Sequence, residues 1–426
     1  MPDQSGLHVG VIGLGYVGLP LALALTNAEY TVTGVDIDQE RVTKLSDGQS
    51  YVKDVSDEEV ETARTDGFTP TTEYDALSDV DAVSICVPTP LRKSGQPDVS
   101  YVVEATENLA EVITEETVVV LESTVYPGAT EEVVAAELAS NGWTVGEDVY
   151  VAFSPERIDP GNEEYGVTDI PKIIGGVTEY CGDQATAVYT PVFDQVHRVS
   201  GSAEAEFVKL LENTFRNVNI GLINELALAA EQMDIDIWES IEAAATKPFG
   251  YMPFYPGPGL GGHCIPVDPQ HLSWKAKQQG FETRFVNLAD HINRKMPKHV
   301  VNRIATVLNE NGVPMLDAEI LILGVAYKPD VSDTRESPAL DIIDLLRDRG
   351  ANISYHDPHV TEVAANDWTY NSVELTADTL EQQDMVVIVT DHSIFDIKQI
   401  VDHAPRVFDT RNATAEYKSH AHIERL

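Results

Sequence analysis

Short apolar runs rich in β-branched residues alternate with segments of helical period over about the first 200 residues. HVGVIGLG, TVTGVDID, DAVSICVPT, TVVVLEST and VYVAFSPE read as strands. Near-continuous Val, Ile and Leu suit a parallel sheet covered on both faces, because neither side of such a strand meets water. A long helical stretch follows, from about Ala203 to about Met233, with no proline and one glycine, Gly221. The alternation resumes near Asp317, where EILILGVAY, NISYHDP, MVVIVTDH and RVFDTRN are further strands. The pattern predicts an α/β protein: two doubly wound parallel-sheet domains joined by a central helical region. The expected division is 1–200, 201–316 and 317–426.

Composition narrows the class. Hydrophobic content is 43% of 426 residues, and no apolar run approaches the ~18 residues that cross a bilayer. The N-terminus passes straight into a strand pattern with no basic region, so neither a signal peptide nor a membrane partner is expected. Three cysteines (Cys86, Cys181 and Cys264) make no disulfide framework, which fits a reducing cytoplasm. Seventy acidic residues against 28 basic ones give a net charge of −42, spread through segments that also carry apolar periodicity. Such a surface repels itself in dilute salt. In molar salt the screening length falls to ~3 Å and the penalty fades. The charge therefore predicts a halophile's cytoplasmic protein. It excludes nucleic acid as a partner, since no basic surface is available to release counterions.

Candidate chemistry begins at Gly13-Leu14-Gly15-Tyr16-Val17-Gly18, between the strand HVGVI and the helical PLALALTNA. Glycines there permit a tight turn and close approach of backbone N–H groups to a pyrophosphate at a helix N-terminus. Asp36 ends the next strand and can accept hydrogen bonds from the adenosine ribose. Asp38 and Glu40 beside it would repel a 2′-phosphate, which favours NAD over NADP despite Arg41. No metal is expected.

The helical stretch places Lys209, Asn213, Arg216/Asn217, Ile220 and Asn224 on one stripe, with Phe207, Leu210, Leu211, Ile223 and Leu226 elsewhere. Polar groups on an otherwise apolar helix are costly unless hydrogen-bonded or facing a ligand, so the stripe is expected to line a site. Cys264 lies in PGPGLGGHCIPVDP, residues 256–269, where four glycines and four prolines predict a loop close to a ligand. Three readings of the thiol stand: an inert buried group, a zinc ligand with His263, Asp268 and His271, or a nucleophile. The zinc spacing fits no tetrahedral pattern. A thiol beside a nicotinamide suggests oxidation past the aldehyde, through a thioester, to an acid.

GLGYVGLP, STVYPGAT (123–130), FSPERIDPGN (153–162), the Lys209–Asn213 helix, PGPGLGGHCIPVDP and GVAYKPDVSDTRESPA (324–339) together resemble the nucleotide-sugar 6-dehydrogenases. The resemblance runs from about residue 8 to 412. It implies a Rossmann NAD domain, a central helical dimerisation region and a Rossmann-like UDP-sugar domain in a homodimer that oxidises UDP-sugars to UDP-uronic acids. Carried onto this sequence, it makes Cys264 the thiohemiacetal and thioester nucleophile. Lys209 and Asn213 would stabilise the oxyanion, Asp268 would position Lys209 or a water, and Glu156, with Thr124, would serve the hydrolytic water. Pro88, Thr89, Thr124 and Arg335 would flank the cofactor. The substrate would meet Arg157, Arg216, Lys328, Arg411 and the loop 255–262, including Tyr255, Gly259, Gly261 and Gly262. The GGHC variant resembles the UDP-N-acetylhexosamine branch, with UDP-N-acetylglucosamine favoured over UDP-N-acetylmannosamine and UDP-glucose the alternative. Two rivals stay open: a two-electron hydroxyacid dehydrogenase, and an NAD-binding redox sensor acting through Cys264.

Overall fold

The computed structural model describes residues 6–158, 166–262, 264–417 and 419–426. The chain forms two compact units. One runs up to Glu212 and adds Gln270–Phe281; the other joins Asn213–Pro269 to Glu282–Leu426.

The first unit is built on eight strands: β1 (His8–Ile12), β2 (Thr31–Val35), β3 (Phe68–Thr71), β4 (Ala82–Ile85), β5 (Val118–Leu121), β6 (Tyr150–Phe153), β7 (Lys172–Gly176) and β8 (Val196–Arg198). Their order is β3-β2-β1-β4-β5-β6-β7-β8, parallel except for the antiparallel β6–β7 pair. β1, β4, β5 and β6 are buried along nearly their whole length, as their apolar runs predict, and so is β7, which begins with Lys172 and was not among the expected strands. The chain reverses winding between β1 and β4, and ligands of open parallel sheets lie at such a switch, beyond the C-terminal strand ends. β3 (FTPT) escapes a pattern search because it is short and contains Pro70. It sits at the sheet edge, where a missing N–H is tolerated.

The boundary between the units falls inside the 31-residue helix Ser202–Gln232, which matches the expected helical stretch to a residue at each end. In the second unit the helices Ile237–Ala245, Arg284–Asn293 and Met296–Glu310 precede a sheet of β9 (Glu319–Leu323), β10 (Asn352–His356), β13 (Met385–Ile388), β14 (Val407–Asp409) and β15 (Ile423–Arg425). A hairpin, β11 (Glu362–Ala365) with β12 (Trp368–Asn371), forms a separate two-stranded sheet whose Val363 and Trp368 join the same core. The order β10-β9-β13-β14-β15 is parallel throughout. A glycine costs a helix interior about 1 kcal/mol. Gly221 is explained by packing, since a Cβ there would lie 2.9 Å from Ala289. Among the described residues no helix is long and apolar enough to cross a membrane.

Candidate active site

In the first unit β1 runs into the glycine turn and then the helix Gly18–Asn27. Gly13 has φ +89°, and a Cβ at Gly18 would sit 1.9 Å from the Gly13 carbonyl oxygen. A Cβ at Gly15 would meet nothing within 4 Å. Gly13 and Gly18 therefore shape the turn, whereas Gly15 leaves open the space into which a diphosphate fits. The Asp36 carboxylate is buried and accepts the N–H groups of Leu14 and Asp38, both at 2.9 Å, which ties the end of β2 to the turn. Arg41 lies 3.4 Å from Asp36 and 3.6 Å from Asp38, so its charge is offset by two carboxylates. A cleft of about 270 Å³ is lined by Gly15, Tyr16, Asp38, Glu40, Arg41 and Tyr51, among others. Tyr51 escaped the sequence reading; its hydroxyl donates to the Leu14 carbonyl at 2.5 Å, and Arg41 lies 5.5 Å from its ring centroid. Burial and the Asp36 charge push the Tyr51 hydroxyl far up, so it stays a donor. Val17 is half-buried, Pro88 exposed and Thr89 buried just beyond β4, and Thr124 is half-buried beyond β5.

Glu156 follows β6. Its Oε1 accepts the N–H groups of Arg157 at 2.6 Å and Ile158 at 2.7 Å, and its carbonyl oxygen accepts Lys209 Nζ at 2.6 Å. Lys209 is buried, as a site-lining stripe requires. Arg157 is paired with Glu212 at 2.6 Å and donates to the Pro171 carbonyl. The DPGN end of the SPERIDPGN motif, 159–162, lies outside the described residues, as does His263.

In the second unit three asparagines of the long helix, Asn213, Asn217 and Asn224, face inward. Asn213 Nδ2 donates to Asp268 at 2.6 Å, Asn217 to the Ile265 carbonyl at 3.1 Å, and Asn224 to Asn293 at 2.9 Å, while Asn224 Oδ1 accepts the Gly257 N–H at 2.9 Å. All of these asparagines are buried; Arg216, next to Asn217, is exposed. The stripe thus clamps both ends of the glycine-rich segment.

The predicted loop 256–269 stops early. From Cys264 onward the chain is helical, Cys264–Gln278, despite Pro266 and Pro269. Pro266 lies in the first turn, where the missing N–H has no helical partner to lose. Pro269 leaves the Ile265 carbonyl without its helical donor, and Asn217 supplies the replacement. Cys264 is exposed at the start of this helix, whereas Cys86 and Cys181 are buried. Asp268 follows one turn later on the same face. Gly259, Gly261 and Gly262 abut Pro338, Tyr327 and Glu336 with Cβ distances of 2.7–3.1 Å, so packing inside the protein accounts for their missing side chains. Gly262 N–H also donates to the Arg335 carbonyl. The Arg335 side chain pairs with Asp333 at 2.6 Å, and Arg411 donates to the Val389 carbonyl and packs on Gly257. Burial pulls the Arg411 guanidinium below its usual range against the carboxylates of Asp391 and Asp409. Lys328 is half-buried, and Tyr255 is exposed with its hydroxyl on Glu242 at 3.0 Å.

Three family models match in sequence order, each described as a domain of the UDP-glucose/GDP-mannose dehydrogenase family: NAD binding at 7–193, central at 203–295 and UDP binding at 321–416. The chain belongs to this family. It is an NAD-dependent nucleotide-sugar dehydrogenase, and the open cradle at Gly15 beside Asp36 fits that cofactor. Among relatives, the UDP-N-acetyl-D-mannosamine dehydrogenase of Pyrococcus horikoshii is 35% identical over 393 residues, covering 91% of this chain and 90% of the relative. The UDP-N-acetyl-D-glucosamine 6-dehydrogenase of Pseudomonas aeruginosa is 35% identical over 360 residues, covering 84% of each. The solved UDP-D-ManNAc dehydrogenase of P. horikoshii superposes with a TM-score of 0.90 at 32% identity, covering 98% of this chain and 99% of that one.

Proposed function

We propose that this dehydrogenase oxidises C6 of a UDP-N-acetylhexosamine to the carboxylate in two hydride transfers, with Cys264 as the transient acyl carrier. The substrate class is supported by relatives named for UDP-N-acetyl-D-mannosamine and UDP-N-acetyl-D-glucosamine, and by the GGHC variant of the loop. The observation that carries the mechanism is Cys264 exposed at a helix N-terminus with the buried Asp268–Asn213 pair one turn behind it. The dipole of a helix N-terminus favours the thiolate, which is the nucleophilic form.

NAD supplies the hydride acceptor, once for the alcohol and once for the thiohemiacetal. The Cys264 thiolate adds to the aldehyde carbon, and Asn213 and the Lys209 ammonium offset the charge on oxygen. After the second oxidation the sugar is held as a thioester. Glu156, backed by Thr124, takes a proton from water as the water attacks the acyl carbon, and the C–S bond breaks to return the thiolate. Per turnover one alcohol, two NAD⁺ and one water give one carboxylate, two NADH and three protons. Arg157, Lys328, Arg411 and the 255–262 segment are assigned to the sugar nucleotide, and Arg335 to the cofactor side.

The functional division follows the sequence: NAD binding by 1–200, dimerisation by 201–316 and UDP-sugar binding by 317–426. Support for a homodimer comes from the long central helix, which exposes Phe207, Leu211, Phe215, Leu222 and Leu226 along one stripe. A halophile's cytoplasm is supported by the net charge of −42 and the three cysteines.

A panel of UDP-sugars with NADH absorbance tests the proposal. Two NADH per UDP-N-acetylhexosamine and none from Cys264→Ala beyond the aldehyde stage are expected. One NADH per substrate overturns it in favour of a two-electron dehydrogenase, and wild-type uronate formation by Cys264→Ala overturns the thioester route.

A further inference from the structure

Beside the proposed base the first unit buries charges that the chemistry above leaves unused. Lys172, the first residue of β7, is 3% exposed, and Glu122, one residue past β5, is 1% exposed. Lys172 Nζ donates to Glu122 Oε2 at 2.5 Å, and the Tyr189 hydroxyl donates to Oε1 at 2.5 Å. Ser84 Oγ lies 2.8 Å from that hydroxyl, and the ammonium lies 5.3 and 5.1 Å from the ring centroids of Tyr189 and Phe193. The Lys172 charge is therefore fixed in place from three sides. Its second carboxylate is Glu156, with Oε2 at 3.7 Å.

The two oxygens of Glu156 differ. Oε1 is saturated by two backbone N–H groups, whereas Oε2 is buried with no hydrogen-bond partner among the described residues. A buried carboxylate oxygen without a donor is costly, and an opposite charge nearby is what offsets the cost. At 3.7 Å the ammonium attracts Oε2 by charge but lies beyond hydrogen-bond distance, so it does not occupy the lone pairs of that oxygen.

We infer that Lys172, locked by Glu122 and Tyr189, is a positioning residue that holds the Glu156 carboxylate by charge, with Oε2 available to take the proton of the attacking water. The inference rests on the proposed role of Glu156. The other charged or titratable groups around Glu156 are already committed. Arg157 is paired with Glu212, and Lys209 donates to the Glu156 carbonyl rather than the carboxylate. Burial, reinforced by the Glu122 charge, pushes the Cys86 thiol well up, so it is neutral. Burial raises Glu122 against the pull of Lys172; for Lys172 burial lowers the ammonium, but the two carboxylates outweigh it and leave it raised.

The test uses the full-length enzyme with NAD and the UDP-N-acetylhexosamine that turns over. It follows NADH formation, the covalent sugar–enzyme adduct by intact mass, and the pH profile of adduct hydrolysis. For Lys172→Met the adduct builds up and the acid limb of the profile moves to higher pH, slowing hydrolysis on the acid side of the limb about tenfold for each unit moved. For the near-isosteric Glu122→Gln, which leaves the ammonium to Glu156 alone, the limb moves to lower pH. A purely structural role would slow NADH formation and hydrolysis together and leave the profile in place. If Glu156→Gln accumulates adduct while neither variant displaces the profile, the positioning role is wrong and the base assignment stands. If Glu156→Gln hydrolyses the adduct like wild type, the base assignment fails and takes the inference with it. Should Lys172→Met not fold, an unmoved profile in Glu122→Gln alone overturns the inference.

Discussion

Asn224→Ala is the substitution whose cost follows most directly from the structure. The Asn224 side chain fills two hydrogen bonds in a buried setting: Oδ1 accepts the Gly257 N–H at 2.9 Å and Nδ2 donates to Asn293 Oδ1 at 2.9 Å. Alanine leaves a buried donor and a buried acceptor with no partner in a space too polar to collapse. Each orphaned group costs about 1–3 kcal/mol, so the pair predicts a loss of about 2–6 kcal/mol. For a domain of 150–250 residues each kcal/mol lowers Tm by roughly 2–4 °C, so a fall of about 10 °C is expected at the middle of the range. Asn224→Asp keeps the acceptor for Gly257 but buries a carboxylate against Asn293, and it recovers only part of the loss. Urea unfolding by circular dichroism measures the stability directly. Alkylation of Cys264 supplies a second readout, because the clamp holds the segment leading to the thiol. An Asn224→Ala protein within 1 kcal/mol of wild type would refute the argument that this asparagine anchors the glycine-rich segment.

Three further outcomes are expected. Burial pushes the Glu206 carboxyl up to about 7, against hydrogen bonds from Thr130 and Gly128. Its folded value lies above its unfolded one, so its contribution is full below about 4.5 and lost as pH rises through 7. The stability of wild type relative to Glu206→Gln should therefore fall by about 3 kcal/mol between pH 4.5 and 8, and a constant difference in urea titrations counts against this. Gly15→Ala places its Cβ in open space, so the apoprotein should melt as wild type does, but the rise in Tm on adding NAD should shrink sharply; Gly18→Ala, with 1.9 Å to the Gly13 carbonyl, should lower the apoprotein Tm itself. With a net charge of −42, Tm should climb as KCl is raised from 0.1 to 2 M and the screening length shrinks from about 10 Å to a few ångström; a flat or falling Tm would contradict the salt-adapted reading.

The two sheets and the long helix were legible in the sequence because their signals are local. Nine apolar runs became the nine expected strands, and Ser202–Gln232 shows a helical period with no proline. The glycine turn with Asp36 was legible for the same reason: a strand, a turn and a helix start are adjacent in the chain. The edge strand Phe68–Thr71 and the three-residue strands β8 and β15 were not, since their pairing is set by neighbours rather than by their own pattern. Residue type selected Cys264, Lys209, Asn213 and Asp268, but not what holds them. The helical start at Cys264 reverses the local preference of a segment rich in proline and glycine, and it survives because Asn217, 48 positions away, supplies the Ile265 carbonyl with the donor that Pro269 lacks. In the same way nothing in the sequence marks Glu122 and Lys172 as partners until β5 and β7 bring them together across 50 positions. Periodicity records which face of an element is buried; which polar groups meet inside that burial is decided by contacts distant in sequence, and only the folded chain contains them.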